Sequence, residues 1–146
     1  MCVTGRITGV DWSSSVGVIT LPSGATVRGR RVADAVSPAD FALILAPGPT
    51  PLWAHRRIRW PDFWVPTDRA DALDAFREAL RRAHAGDRVE AACRGGIGRT
   101  GTTLAALAIL DGVPAHDAVR WVRERYHPKA VETPWQRAWL RRLPSH

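Results

Sequence analysis

A chain of 146 residues, 45% hydrophobic and 24% charged, has the length and balance of one globular domain spanning 1–146. Its formal charge of +7 is carried almost wholly by arginine, and the arginines fall as scattered pairs (Arg30-Arg31, Arg56-Arg57, Arg81-Arg82, Arg141-Arg142), so charge alone does not argue for a nucleic-acid partner. No apolar run approaches the ~20 residues of a membrane span, the N-terminus carries no apolar leader, and two distant cysteines suit a reducing cytoplasm better than a disulfide framework.

In chain order, "VGVITL" (16–21), the turn "PSG" and "ATVRG" (25–29) read as a β-hairpin. "FALILA" (41–46) reads as a buried strand ended by "PGPTP", and "RRIRW" (56–60) as a further strand halted by Pro61. Leu73, Phe76, Leu80 and Ala83 then share one face of a helix opened near Asp68 and closed by Gly86. "VEAAC" (89–93) is a strand running into a glycine loop, and "TTLAALAIL" (102–110) a helix apolar nearly all round. Pro114 suits the first turn of a helix over 115–126, and Thr133 caps a last one. Strands alternating with helices make an α/β fold, with the glycine loop at a strand-to-helix junction.

That loop, "AACRGGIGRTGTT", fits two phosphate-binding patterns. Read from Gly96, it is G-x-G-x-x-G, the dinucleotide fingerprint, which requires a second strand ending in an acidic residue ~20 positions on. Residues 113–126 are patterned as a helix instead, with Asp117 and Glu124 inside it, so this pattern is rejected. Read from Cys93, five small or flexible residues (Arg94, Gly95, Gly96, Ile97, Gly98) separate a cysteine from Arg99. Such a loop can turn its backbone N–H groups inward as an anion cradle, with the helix N-terminus favouring thiolate at Cys93. Arg99 adds a planar fork for two phosphate oxygens, and Thr100 a hydroxyl for the sulfur. Taken singly, a free cysteine is most often a small core residue and an arginine a surface ion-pair member; their spacing at this junction argues for function.

"CRGGIGRTG" (93–101) resembles the C-x5-R-[ST]-G loop of the cysteine-dependent protein-tyrosine and dual-specificity phosphatases, with Ala92 where that family has histidine. "WPDFWVP" (60–66) is similar to its W-P-D-x-G-x-P acid loop, with Trp64 in place of glycine and Asp62 lying 93 − 62 = 31 residues before the cysteine. "VETPWQ" (131–136) resembles its Q-T-x-x-Q segment, with Glu132 for the first glutamine. The resemblance implies a central, mostly parallel sheet flanked by helices, and hydrolysis of phosphate monoesters without metal or cofactor. It assigns Cys93 as nucleophile, Asp62 as general acid, Arg99 and the loop amides of 94–98 as phosphate ligands, Thr100 as thiolate support and Gln136 as the residue that positions water. Phosphotyrosine in proteins is the first expected substrate, with Phe63, Trp64 and Trp135 as an aromatic wall. Arg94, Lys129 and Arg56-Arg57 would suit dual-specificity or phosphoinositide substrates. A pseudophosphatase that binds without turnover, an RNA-binding domain, and a redox pairing of Cys2 with Cys93 are the remaining alternatives.

Overall fold

A computed structural model describes residues 12–144, the side chain of Ser13 excepted; Cys2 therefore lies outside the described residues. Five strands, β1 (Val18–Thr20), β2 (Thr26–Arg31), β3 (Phe41–Ile44), β4 (His55–Arg57) and β5 (Val89–Cys93), form one sheet in the order β1-β2-β5-β3-β4. The β1–β2 hairpin is antiparallel and the other pairings are parallel. Four helices accompany it: α1 (Arg69–His84), α2 (Gly98–Leu110), α3 (Ala118–Arg125) and α4 (Pro134–Arg141). The expected mostly parallel sheet with helices and an N-terminal hairpin is the architecture observed.

The sheet has two unlike faces because side chains alternate along each strand. Val89, Ala91 and Cys93 of β5 point into the large core, where α1 contributes Phe76, α2 contributes Leu104 and Leu107, and α4 contributes Trp139 and Leu140. Ala92 instead joins Ala42 and Ile44 in a small cluster on the reverse face, against Trp53. Helix α2 is buried along its whole length except Leu110, which makes it the central helix. Local signals set the ends of the others. The Asp68 carboxylate accepts from Asp71 N–H at 3.0 Å to cap α1, and Thr133 and Gln136 form a reciprocal capping box at α4.

Three boundaries differ from the sequence reading. The fourth strand spans only His55–Arg57, so it ends well before Pro61. Helix α2 starts four residues ahead of the apolar run at 102, since Gly98 to Gly101 form its first turn. Residues 115–117 make a 3-10 turn before α3 begins. Among the described residues, no helix is long and apolar enough to cross a membrane.

Candidate active site

Parallel strands deliver their C-terminal ends to one edge of the sheet, and β5 lies between two such neighbours, β2 and β3. Cys93 is the last residue of β5, and its carbonyl accepts from Val32 N–H at 2.8 Å. The chain then turns through 94–97 into α2, placing the loop at the N-terminal end of a helix whose dipole favours negative charge. Gly96 makes the turn possible. It sits at φ +69°, and a Cβ there would meet the backbone of Arg30 and Arg31 at 3.0 Å. The Cys93 sulfur is buried and accepts two hydrogen bonds, from Gly96 N–H at 3.1 Å and from the Thr100 hydroxyl at 3.0 Å.

Arg99, in the first turn of α2, is also buried. Its Nη1 donates to the carbonyls of Leu45 and Trp60, each at 3.0 Å, tying the loop to the end of β3 and to the start of 60–66. Nη2 lies 3.4 Å from Asp62 Oδ1. Nε is a buried donor without a partner. Since Nε and Nη2 share one edge of the guanidinium, that edge is the one left to grip two oxygens of an anion.

Segment 60–66 is held over the loop by its own core residue and by α4. Trp60 is buried beside Trp139, with ring centroids 6.3 Å apart, and donates its Nε1–H to the Trp64 carbonyl at 2.7 Å. Trp135 donates to the Phe63 carbonyl, and its ring lies 5.5 Å from that of Trp64. Phe63 takes φ +60°, and its N–H caps Asp62 Oδ1 at 3.0 Å, which fixes the exposed carboxylate. Phe63, Trp64 and Trp135 are all exposed, forming an aromatic patch around Asp62.

Gln136 is fully buried, with its amide largely occupied. Its Oε1 accepts from the N–H groups of Glu132 and Thr133 at 2.9 and 3.2 Å, and its Nε2 donates to Trp64 O at 3.1 Å. It thus couples the start of α4 to the Asp62 segment. Glu132 stands against the first residue of α2, where a Cβ on Gly98 would meet its Oε1 at 2.0 Å. Arg94 and Lys129 are exposed. Arg56 and Arg57, expected to serve as rim cations, are committed elsewhere. Arg56 pairs with Asp71, Asp74 and Glu78, which raise its pKa further, and Arg57 donates to the carbonyls of Ala46 and Gly48.

Two features escaped the sequence reading. Glu90, in the middle of β5, is buried between Arg28 and Arg30 of β2, and its Oε2 accepts from Trp53 Nε1 at 2.9 Å. Burial alone would raise its pKa, but the Arg30 and Arg28 guanidiniums outweigh that and hold it below the usual carboxylate range. The only signal was an acid inside an otherwise apolar strand. The second is Tyr126, whose hydroxyl reaches Gly96 O at 2.5 Å from thirty residues away.

An open α/β sheet here carries a buried cysteine at the end of its central strand, followed by a glycine loop at a helix N-terminus and a buried arginine in that helix's first turn, an arrangement with the donors to hold an anion. A model of the protein-tyrosine phosphatase family matches residues 49–136, and the chain belongs to that family. Among solved structures it is similar to Tk-PTP in its active form, at 28% identity and a TM-score of 0.63, over 70% of this chain and 76% of that one. It is also similar in fold to DUSP15 (17% identity, TM-score 0.62, 87% of this chain and 86% of that one) and to PTPMT1 in complex with PI(5)P (18%, 0.62, 70% and 74%). The chain is therefore a phosphatase of the protein-tyrosine phosphatase family, and these structures share its fold.

Proposed function

We propose that the chain hydrolyses phosphate monoesters, phosphotyrosine in proteins first among them, through a cysteinyl-phosphate intermediate. The observation that carries this reading is the Arg99 guanidinium: it leaves the same loop that holds the Cys93 sulfur, keeps Nε unpartnered, and reaches the Asp62 carboxylate with Nη2 at 3.4 Å. The Cys93 thiolate attacks phosphorus, forming the S–P bond as the ester P–O bond breaks, and Asp62 gives its proton to the departing oxygen. Arg99 Nε and Nη2, with the amides of the 94–98 loop, hold the equatorial oxygens in the transition state. Water then attacks the cysteinyl-phosphate and returns a proton to Asp62, releasing phosphate, while the Thr100 hydroxyl and Gly96 N–H stabilise the restored thiolate. Gln136 retains one amide N–H beyond its bond to Trp64, and that N–H orients the water.

The exposed aromatic patch around Asp62 supports an aryl phosphate, whose ring would lie against Phe63 and Trp64. Exposed Arg94 on the loop favours a second reading, a broader dual-specificity or phosphoinositide phosphatase. A reducing, cytoplasmic setting suits a mechanism that needs a free thiolate. Hydrolysis of p-nitrophenyl phosphate in chelator tests the scheme. The wild type should turn over and be inhibited by vanadate, Cys93→Ser should be inactive, and phosphotyrosyl peptides should be preferred over phosphoseryl peptides and inositol lipids. Full activity in the serine variant overturns the mechanism.

A further inference from the structure

We propose that Tyr126 is a positioning residue of the phosphate cradle: its hydroxyl holds the Gly96 carbonyl outward and so turns the Ile97 amide inward. The proposal rests on the cradle reading above and goes beyond it, to a side chain outside the loop and outside all three motif segments.

Tyr126 is the chain's only tyrosine. It closes α3, where its N–H donates to Val122 O at 2.8 Å, so the ring stands on the rigid end of a helix. Its hydroxyl donates to the Gly96 carbonyl at 2.5 Å. The described residues contain no cis peptide, and across a planar trans peptide the C=O of one residue and the N–H of the next point in opposite directions. Fixing the Gly96 carbonyl on Tyr126 therefore aims the Ile97 N–H to the opposite side, away from the tyrosine.

Why a device is needed here follows from the loop's composition. Rotation of the peptide joining 96 to 97 changes ψ of Gly96 and φ of Ile97, and a glycine at 96 leaves the first of these with little steric resistance. Rotated, the peptide would present a carbonyl dipole to an incoming dianion in place of a donor, exchanging attraction for repulsion. Gly96 N–H is already directed at the Cys93 sulfur, so the 96–97 peptide is the next one whose orientation decides the cradle's sign.

The sheet is cut to receive the ring. Gly29 in β2 faces Tyr126, and a Cβ there would lie 2.6 Å from Cε1 and Cζ and 2.7 Å from the hydroxyl oxygen. A strand glycine between Arg28 and Arg30 thus has a physical cause in a residue it neighbours only through the fold. The phenol is held neutral, first by burial and then by negative charge at Cys93 and Asp34, so it remains a donor.

The test compares wild type, Tyr126→Phe, Gly29→Ala and the double variant, using p-nitrophenyl phosphate with orthovanadate as the cradle probe. Tyr126→Phe keeps the ring and deletes only the donor. Its inhibition constant for vanadate and its KM should rise about tenfold, the scale of one charge-assisted hydrogen bond. Gly29→Ala, which displaces the ring without touching the loop, should weaken vanadate likewise, and the two changes should be less than additive. A merely structural tyrosine would lower the melting temperature and leave vanadate affinity within twofold, which overturns the proposal. 3-Fluorotyrosine incorporation keeps the donor and labels this one position. Its single resonance should move when vanadate fills the cradle, and a resonance that stays still also overturns the proposal. Wild type that neither turns over nor binds vanadate would instead overturn the cradle reading beneath it.

Discussion

Replacing Glu90 by glutamine removes one charge from the strand that carries Cys93 and leaves its shape almost unchanged. The Glu90 carboxylate accepts from Arg28 Nε at 3.1 Å, Arg30 Nε at 2.8 Å, Arg30 Nη2 at 2.9 Å and Trp53 Nε1 at 2.9 Å, and also pairs with Arg28 Nη2. Each carboxylate oxygen therefore faces at least two donors. Whichever position the amide nitrogen of glutamine took, it would oppose N–H groups with N–H groups. It would also leave two buried guanidiniums without their counter-charge. Breaking a buried pair by removing one partner costs about 3–5 kcal/mol. Against a total near 5–15 kcal/mol for a domain, that is a large fraction of the stability. At roughly 2–4 °C per kcal/mol for a chain of this size, the melting temperature should fall by about 6–20 °C.

The same group sets an acid limb. Its pKa is depressed in the fold, so its stabilising effect is complete above the unfolded carboxyl value of about 4.3 and is lost as pH falls through the folded value. Urea unfolding from pH 7 down to pH 3 should show wild-type stability declining below about pH 4.3, with a shallower decline in Glu90→Gln. A glutamine variant within 1 kcal/mol of wild type at pH 7, with an unchanged acid limb, would refute this reasoning about the buried network.

Trp135→Phe keeps an aromatic ring near Trp64 but deletes the bond to the Phe63 carbonyl, so the Asp62 segment should loosen. Steady-state kinetics should show kcat for phenyl phosphate falling severalfold, with a smaller loss for p-nitrophenyl phosphate, whose leaving group needs less protonation. Asp62→Asn should show the same leaving-group contrast more strongly, with losses on poor leaving groups of about 10²–10⁴ and vanadate affinity retained. Gly101→Ala would place a Cβ 2.5 Å from Ala130 Cβ and 2.9 Å from Ala130 Cα, where backbone must yield; thermal unfolding should report a loss of about 1–3 kcal/mol.

What was legible in the sequence was what sits close together along it. The strand "VEAAC" ends where expected because the chain turns away through Gly96 at φ +69°, and the Cys93-to-Arg99 spacing spans that turn and the first residues of α2. Helix α1 and its Asp68 cap follow from apolar period and cap chemistry, both local. The start of α2 was missed because its first turn is built from Gly98 to Gly101, whose composition reads as loop while its backbone is helical. Glu90 and its arginines were illegible for a different reason. "RGR" and "VEA" become partners only when the register Arg28↔Glu90 is known, and register is a tertiary fact. Arg56 illustrates the reverse error: a charge that looks available in sequence is consumed by three acids on α1. Gln136 was singled out for chemistry, yet most of its amide is spent capping α4 and holding Trp64.

The central claim is that phosphate passes through the Cys93 sulfur. Rapid acid quench of wild-type protein reacting with p-nitrophenyl phosphate, followed by peptide mass spectrometry, tests it most directly. The account predicts a phosphate adduct on the peptide containing Cys93, absent from Cys93→Ser. Turnover by wild type with no adduct at Cys93, or an adduct on another residue, would contradict it.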